Sequence, residues 1–191
     1  RDSYNTVQMY RHDRLAYLAA MAARAEEGGY LCGVKVVRGA YMEKERARAA
    51  QQGYPSPIQP DKAASDRDFD AAVKWVLERI AQIHLVAGSH NEESNLKLCQ
   101  WMGEMGLEPG DARVSFAQLL GMSDPITFNL AARGYNVAKY VPYGPIREAI
   151  PYLIRRAQEN TSVAGQTSRE LTLLREEQQR RKQMNSRQRG L

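Results

Sequence analysis

In the run YVPYGPIREAIPYLIRRAQEN, Tyr152, Arg155, Arg156 and Glu159 stand at i, i+3, i+4 and i+7. That spacing puts them on one face of a helix. A purely structural helix keeps its apolar stripe on such a face, whereas this one carries a phenol, two guanidiniums and a carboxylate. Guanidinium is planar, permanently charged and suited to gripping a carboxylate in two-point fashion. Glu159 lies four residues after Arg155 and can hold it in one orientation. For an arbitrary Arg-Arg pair the plainer reading is a solvated face with an ion pair. Here the pair follows a strand ending at Tyr140 and a Pro/Gly turn, the position where barrel and doubly wound enzymes keep their sites.

The segment KVVRGAYMEKE, residues 35–45, holds a second group of candidates. Lys35 and Arg38 are three apart, so they point to opposite sides of a strand unless it ends between them. Arg38 is therefore expected in the loop beyond the sheet. Gly39 permits close backbone approach there, as a large flat or anionic ligand requires. GSHN, residues 88–91, brings Ser89, His90 and Asn91 to another strand end, although Asn91 with Ser94 also reads as a helix start. FAQLLGMSD supplies Gln118 and Leu119. No metal-ligand spacing, catalytic Ser/His/Asp arrangement, P-loop or GxGxxG occurs. The polar complement is cationic and hydrogen-bonding, without an obvious nucleophile. Such a site suits an anionic substrate and an electron-accepting cofactor that carries the difficult chemistry.

These residues must be held by strands and helices in alternation. Strands are predicted at Asn5–Met9, Gly33–Arg38, His84–Ala87, Val114–Phe116 and Val137–Val141. Helices are predicted over Asp13–Glu27, Arg67–Ile83, Glu92 to about Met105, Pro125–Arg133, and the segment bearing Arg155 and Arg156. Five strand-helix units in series imply a parallel sheet with helices outside it. One polar marker per strand end (Gln8, Lys35/Arg38, Ser89-His90-Asn91, Gln118, Tyr140) suits a (β/α)8 TIM-type barrel better than a doubly wound sheet. Five units do not close an eight-stranded barrel.

At 191 residues the chain is ample for one core and leaves little room for two. The apolar segment 15–25 is interrupted by Arg24 and too short to cross a bilayer. Cys32 and Cys99 form no disulfide framework, which fits a reducing compartment. Residues 166–191 hold seven Lys/Arg against three Glu, a net +4 of the chain's +5. The charge thus lies in a basic helical tail, and no nucleic-acid motif precedes it. The tail, taken as residues 163–191, reads as a solvated terminal helix, with anionic lipid or a partner subunit as alternatives. The opening RDSYNTVQMY has no initiator Met or signal segment and reads as the interior of a domain.

The series NTVQMY, GVKVVRGAYMEKERARAAQQGY, GSHNEE, FAQLLGM and YVPYGPIREAIPYLIRRAQENTS resembles the C-terminal part of proline dehydrogenase, a FAD-dependent family, over about residues 5–162. The likeness is greatest to the eukaryotic-type branch, which includes a hydroxyproline-oxidising form. It implies a (β/α)8 barrel, with residues 1–162 supplying about the last five units plus C-terminal helices. It also implies FAD at the C-terminal strand ends, oxidation of L-proline to Δ1-pyrroline-5-carboxylate, and a quinone acceptor at a membrane surface. A cytoplasmic location follows, peripheral to the inner membrane and mitochondrial in a eukaryote; self-association is left open.

Matched motif by motif, Tyr140, Tyr152, Arg155 and Arg156 fall on substrate-side positions, with Glu159 in support and Leu119 packing nearby. Gln8, Arg38, Gly39, Ala40, Ser89 and His90 fall on FAD-contacting positions, with Tyr41 and Asn91 beside them. Many bacterial members read RLVKGAY, so the cations at Lys35 and Arg38 are exchanged here; Lys35 or Arg38 offsets the charge that the flavin gains on reduction. The Gln of the motif ending LxGM is shifted by one, onto Gln118. The resemblance further implies a Lys and an Asp from earlier strands, so the chain is expected to be a fragment or to share its barrel with another polypeptide. The rivals are a hydroxyproline dehydrogenase and a non-catalytic partial barrel serving as a binding module.

Overall fold

The computed structural model describes residues 3–162 together with 172, 175, 176 and 178–182. Most of the tail expected at 163–191 lies outside the described residues. The chain divides into two compact units, Arg1–Val141 and Pro142–Leu191.

In the first unit, strands β1 (Tyr4–Gln8), β2 (Cys32–Val37), β3 (Ile83–Gly88), β4 (Val114–Leu119) and β5 (Val137–Tyr140) form one sheet. All neighbours are parallel, and the spatial order is the chain order, β1-β2-β3-β4-β5. A doubly wound sheet reverses its strand order at a switch point. None occurs among these strands.

Helices α1 (Arg14–Glu27), α2 (Met42–Gln52), α3 (Lys62–Leu77), α4 (Glu92–Glu104) and α5 (Asp124–Ala132) make the connections. Alternation on the strands divides the sheet into two faces. Val7, Val36, Ala87 and Phe116 form one registered row, and each is buried. They pack against Leu18 and Met21 of α1, Phe69, Val73, Val76 and Leu77 of α3, and Leu98 and Met102 of α4. Burying a side chain of this kind contributes roughly 1.5–3 kcal/mol, so the helix-facing side of the sheet is the stabilising layer.

Two departures from the sequence expectation have local causes. Helix α3 begins at Lys62, five residues before the predicted Arg67, because Asp61 caps it by accepting the Ala64 amide at 2.7 Å. Helix α2 was not predicted. Its sequence MEKERARAAQQ buries only Ala49 and so lacks an apolar stripe. Its residues are nevertheless good helix formers, and Gly53 ends it in the left-handed conformation at φ 70°.

The second unit contains α6 (Ile146–Ser162), which carries Pro151 within it.

Candidate active site

Because all five strands run the same way, their C-terminal ends share one edge of the sheet. Gln8, Leu119 and Tyr140 end β1, β4 and β5, while Arg38 and Ser89 stand one residue beyond β2 and β3. Register then separates these residues by face. Gln8, Val37, Gly88, Ala117 and Ala138 form a continuous row on the side away from the helices. Lys35 lies two residues before Val37 on that same side, and Leu119 and Tyr140 lie two residues beyond Ala117 and Ala138. Gln8, Lys35, Leu119 and Tyr140 therefore share the open face.

Lys35 reaches along this face toward the strand ends. A Cβ at Gly88 would meet Val37 Cγ1 at 2.8 Å and Lys35 Cε at 3.4 Å. The missing side chain thus leaves a channel in which the lysine stem lies. Its Nζ ends 5.2 Å from the centroid of the Tyr140 ring, within cation–π range.

Arg38 takes the opposite course. Strand β2 ends at Val37, so Arg38 falls in the loop beyond it, as expected. Its guanidinium lies 4.2 Å over the Phe69 ring of α3. Nε donates to Asp66, Nη1 to Ser89 Oγ at 2.7 Å and Nη2 to Ser94 Oγ at 2.8 Å. Ser94 Oγ donates in turn to Asp70, which also holds Lys97. Burial alone would raise the Asp66 carboxyl, but hydrogen bonds from Lys62 and Arg38 outweigh it and hold the group below the ordinary carboxylate range.

The segment Ser89-His90-Asn91 is fixed from several directions. Ser89 Oγ accepts the Asn91 amide at 3.1 Å as well as Arg38. Asn95 Nδ2 donates to the carbonyls of Ser89 and Asn91. Asn91 caps α4, its side chain accepting the Ser94 amide at 3.1 Å, so its helix-start role is realised. His90 Nδ1 lies 2.9 Å from Ser123 Oγ.

Gln118 is buried, and its position alternates with Ala117 and Leu119. Its amide donates to the Ser89 carbonyl at 3.3 Å and accepts from Thr127 Oγ1 at 3.0 Å. This side chain braces β4 against β3 and α5.

Gly39 has φ 115°, a conformation favouring glycine. The close approach expected at Gly39 is made within the chain: a Cβ there would stand 1.8 Å from Cδ1 of Tyr10. The ring of a neighbouring loop occupies that side of Gly39, where a ligand had been expected. Ala40 and Tyr41 lead into α2, with Tyr41 at its N-cap.

On α6, the Arg156 guanidinium carbon lies 5.3 Å from the Tyr152 ring centroid, as their i,i+4 spacing requires. Arg155 and Glu159 belong to the same helix, but their side chains lie outside the described residues.

The family model for proline dehydrogenase matches residues 1–169. The chain belongs to the proline dehydrogenase family. Hydroxyproline dehydrogenase of Xenopus laevis is 44% identical over 182 residues, covering 93% of this chain and 39% of that protein. Mitochondrial proline dehydrogenase 1 of Homo sapiens is 44% identical over 174 residues, covering 90% of this chain and 29% of its own length. The chain thus spans well under half of either relative. Among solved structures, proline utilization A from Bdellovibrio bacteriovorus, inactivated by N-propargylglycine, superposes with a TM-score of 0.79 at 29% identity. That match covers 84% of this chain and 17% of the other. A bifunctional proline utilization A protein gives a TM-score of 0.73 at 25% identity, with 84% and 16% covered.

Within this proline dehydrogenase family chain, the side chains that support the strand ends were the ones sequence reasoning passed over. Asp66, Phe69 and Asp70 sat within or beside a predicted helix with nothing to mark them as partners of a distant arginine. Ser123 and Thr127 stood before and within the predicted helix 125–133 with nothing to mark them; Ser123 is the N-cap residue of α5 and makes no side-chain cap bond.

Proposed function

We propose that the protein to which this chain belongs oxidises L-proline to Δ1-pyrroline-5-carboxylate with FAD as the electron acceptor. The observation that carries this reading is the gathering of Gln8, Lys35, Leu119 and Tyr140 on one face, at the C-terminal edge of an unreversed parallel sheet. The family relationship supports a flavin in this role, and FAD is the form proposed. These strands would close, with strands outside this chain, into a (β/α)8 barrel whose interior is the open face. Chain-order pairing and the contact of Lys35 with Tyr140 across two intervening strands support that closure.

The donor set fits the cofactor. Lys35 presents a cation on the interior face, Gln8 an amide, and Ser89-His90 a rim segment held by its own hydrogen bonds. Bound FAD would take up the hydride leaving the proline ring carbon. The remaining work falls to the chain. Lys35 offsets the negative charge that develops nearby, and Tyr140 and Leu119 wall the ring-binding side. On α6, Arg155 and Arg156 hold the proline carboxylate, with Tyr152 beside them and Glu159 in support. Charge-assisted hydrogen bonds of this kind contribute roughly 1.5–3 kcal/mol each, and two of them make orientation the protein's main contribution. Arg38 orders the rim from behind, while Gly39, Ala40 and Tyr41 carry the backbone past it.

Electrons would pass to a quinone at a membrane surface, mitochondrial in a eukaryotic source as in the human relative's name. Among the described residues no helix is long and apolar enough to cross a membrane. The test is the visible spectrum of the purified full-length protein. Flavin absorbance that survives desalting is expected. A folded protein that is colourless and takes up no added FAD overturns the proposal.

A further inference from the structure

Ser123 occupies the N-cap position of α5, where a serine normally accepts an amide hydrogen bond from the first turn. It makes no such bond. Among the described residues it is also the one non-glycine residue with positive φ, at 54°, a conformation that costs a side-chain-bearing residue stability. It is buried, and its hydroxyl is directed to His90 Nδ1 at 2.9 Å. Its carbonyl is held by the Thr127 amide and hydroxyl, both at 3.2 Å, and that hydroxyl also reaches Gln118 Oε1. Gln118 in turn donates to the carbonyl of Ser89, the residue before His90. A residue that forgoes its cap bond and takes up a strained backbone, with its carbonyl held by Thr127 and its hydroxyl on His90, is spending stability on the placement of its side chain.

We infer that Ser123 is a positioning residue for His90, fixing the imidazole at the strand-end rim so that it meets the cofactor in one orientation. This rests on the flavoenzyme reading above, in which His90 lies on the cofactor side. Which partner donates the proton follows from the imidazole tautomer, and the serine hydroxyl serves either one.

The consequence is an opposition of two measurements. In the full-length protein, Ser123→Gly relieves the backbone strain and should raise the midpoint of thermal unfolding. By releasing His90 it should also weaken FAD binding about three- to tenfold, the range expected for one lost hydrogen bond. Ser123→Asn tolerates the left-handed backbone and restores a polar partner, so it should recover most of the affinity. Ser123→Gly added to His90→Ala should cost no further affinity beyond His90→Ala alone. A purely structural serine would give a Gly variant that is more stable with FAD affinity unchanged, and additive losses in the double variant would also overturn the inference. If His90→Ala itself leaves FAD affinity untouched, the placement of His90 on the cofactor is wrong and the inference falls with it. If His90→Ala weakens FAD while Ser123→Gly does not, only the positioning role falls.

Discussion

The ammonium of Lys35 lies 5.2 Å from the Tyr140 ring centroid, although β3 and β4 separate their two strands. Three strand spacings amount to about 14 Å across a flat sheet. Register adds to this, since Lys35 pairs with Val86, whereas Tyr140 pairs with Leu119, four residues beyond Ser115 of the Lys35 row. A flat sheet would therefore place the two Cα atoms roughly 19 Å apart. Two long side chains meet across that span because the sheet curls toward the face they share. Curling in this direction is what the proposed closure into a barrel would require.

The same contact yields a prediction about the cofactor. Lys35→Ala should lower the reduction potential of bound flavin and slow its reduction, because a nearby cation favours the reduced, more negative form. Tyr140→Ala, which frees the lysine, should lower the potential part of the way in substrate-free protein. Tyr140→Phe, which keeps the ring face, should leave it near the original value. Equal potentials in the Ala and Phe variants would show that the ring does not hold the cation.

Arg38 should behave quite differently. Arg38→Ala removes bonds to Asp66, Ser89 and Ser94 and uncovers Phe69. A loss of about 2–4 kcal/mol in unfolding stability is expected, together with weaker FAD retention as the rim loosens. Arg38→Lys should rescue little, since an ammonium cannot reproduce a planar fork with three separate acceptors. Denaturant titration of the three proteins checks this; a destabilisation under about 0.5 kcal/mol would mark Arg38 as an ordinary surface residue.

Gly39→Ala introduces two separable costs, an unfavourable φ and a collision with the Tyr10 ring. The variant should be destabilised by more than the roughly 1 kcal/mol that left-handed backbone alone explains. Adding Tyr10→Ala removes the collision and leaves the backbone cost, so the double variant should lose less than the two single losses combined. Simple additivity in thermal unfolding would contradict the packing described.

Acid should undo the rim through Asp66. Its folded-state pKa is lowered, so it contributes stability above its unfolded pKa of about 3.9 and loses that contribution as pH falls through the lower folded value. The stability gap between the unaltered protein and Asp66→Asn should accordingly be full at neutral pH and close below about pH 4. A gap constant from pH 7 to pH 3 would remove Asp66 from the account.

The strands and their order of use were legible in the sequence because β-branched runs such as GVKVVR and the markers at their ends recur. The separation of Lys35 from Arg38 was also legible, since period-two alternation and a strand end suffice to predict it. Helix α2 was not, because its burial rests on one alanine and periodicity carries no signal there. Nor were the partners of Arg38. Asp66, Ser89 and Ser94 are 28, 51 and 56 residues away, and only the packing of α3 and α4 against β2 and β3 brings them together. Ser123 carried no signal in the sequence, because its backbone conformation, and with it the reach to His90, belongs to the tertiary structure.

The most direct test of the central claim is anaerobic titration of the FAD-loaded, full-length protein with L-proline, following loss of the oxidised flavin spectrum. Hydroxyproline in parallel separates the two substrates. Proline should reduce the flavin, and Arg155→Met and Arg156→Met should each raise the half-reducing concentration at least about tenfold, equivalent to roughly 1.4 kcal/mol, with FAD still bound. A flavin that proline leaves oxidised, or half-reduction unchanged in both arginine variants, would contradict the account.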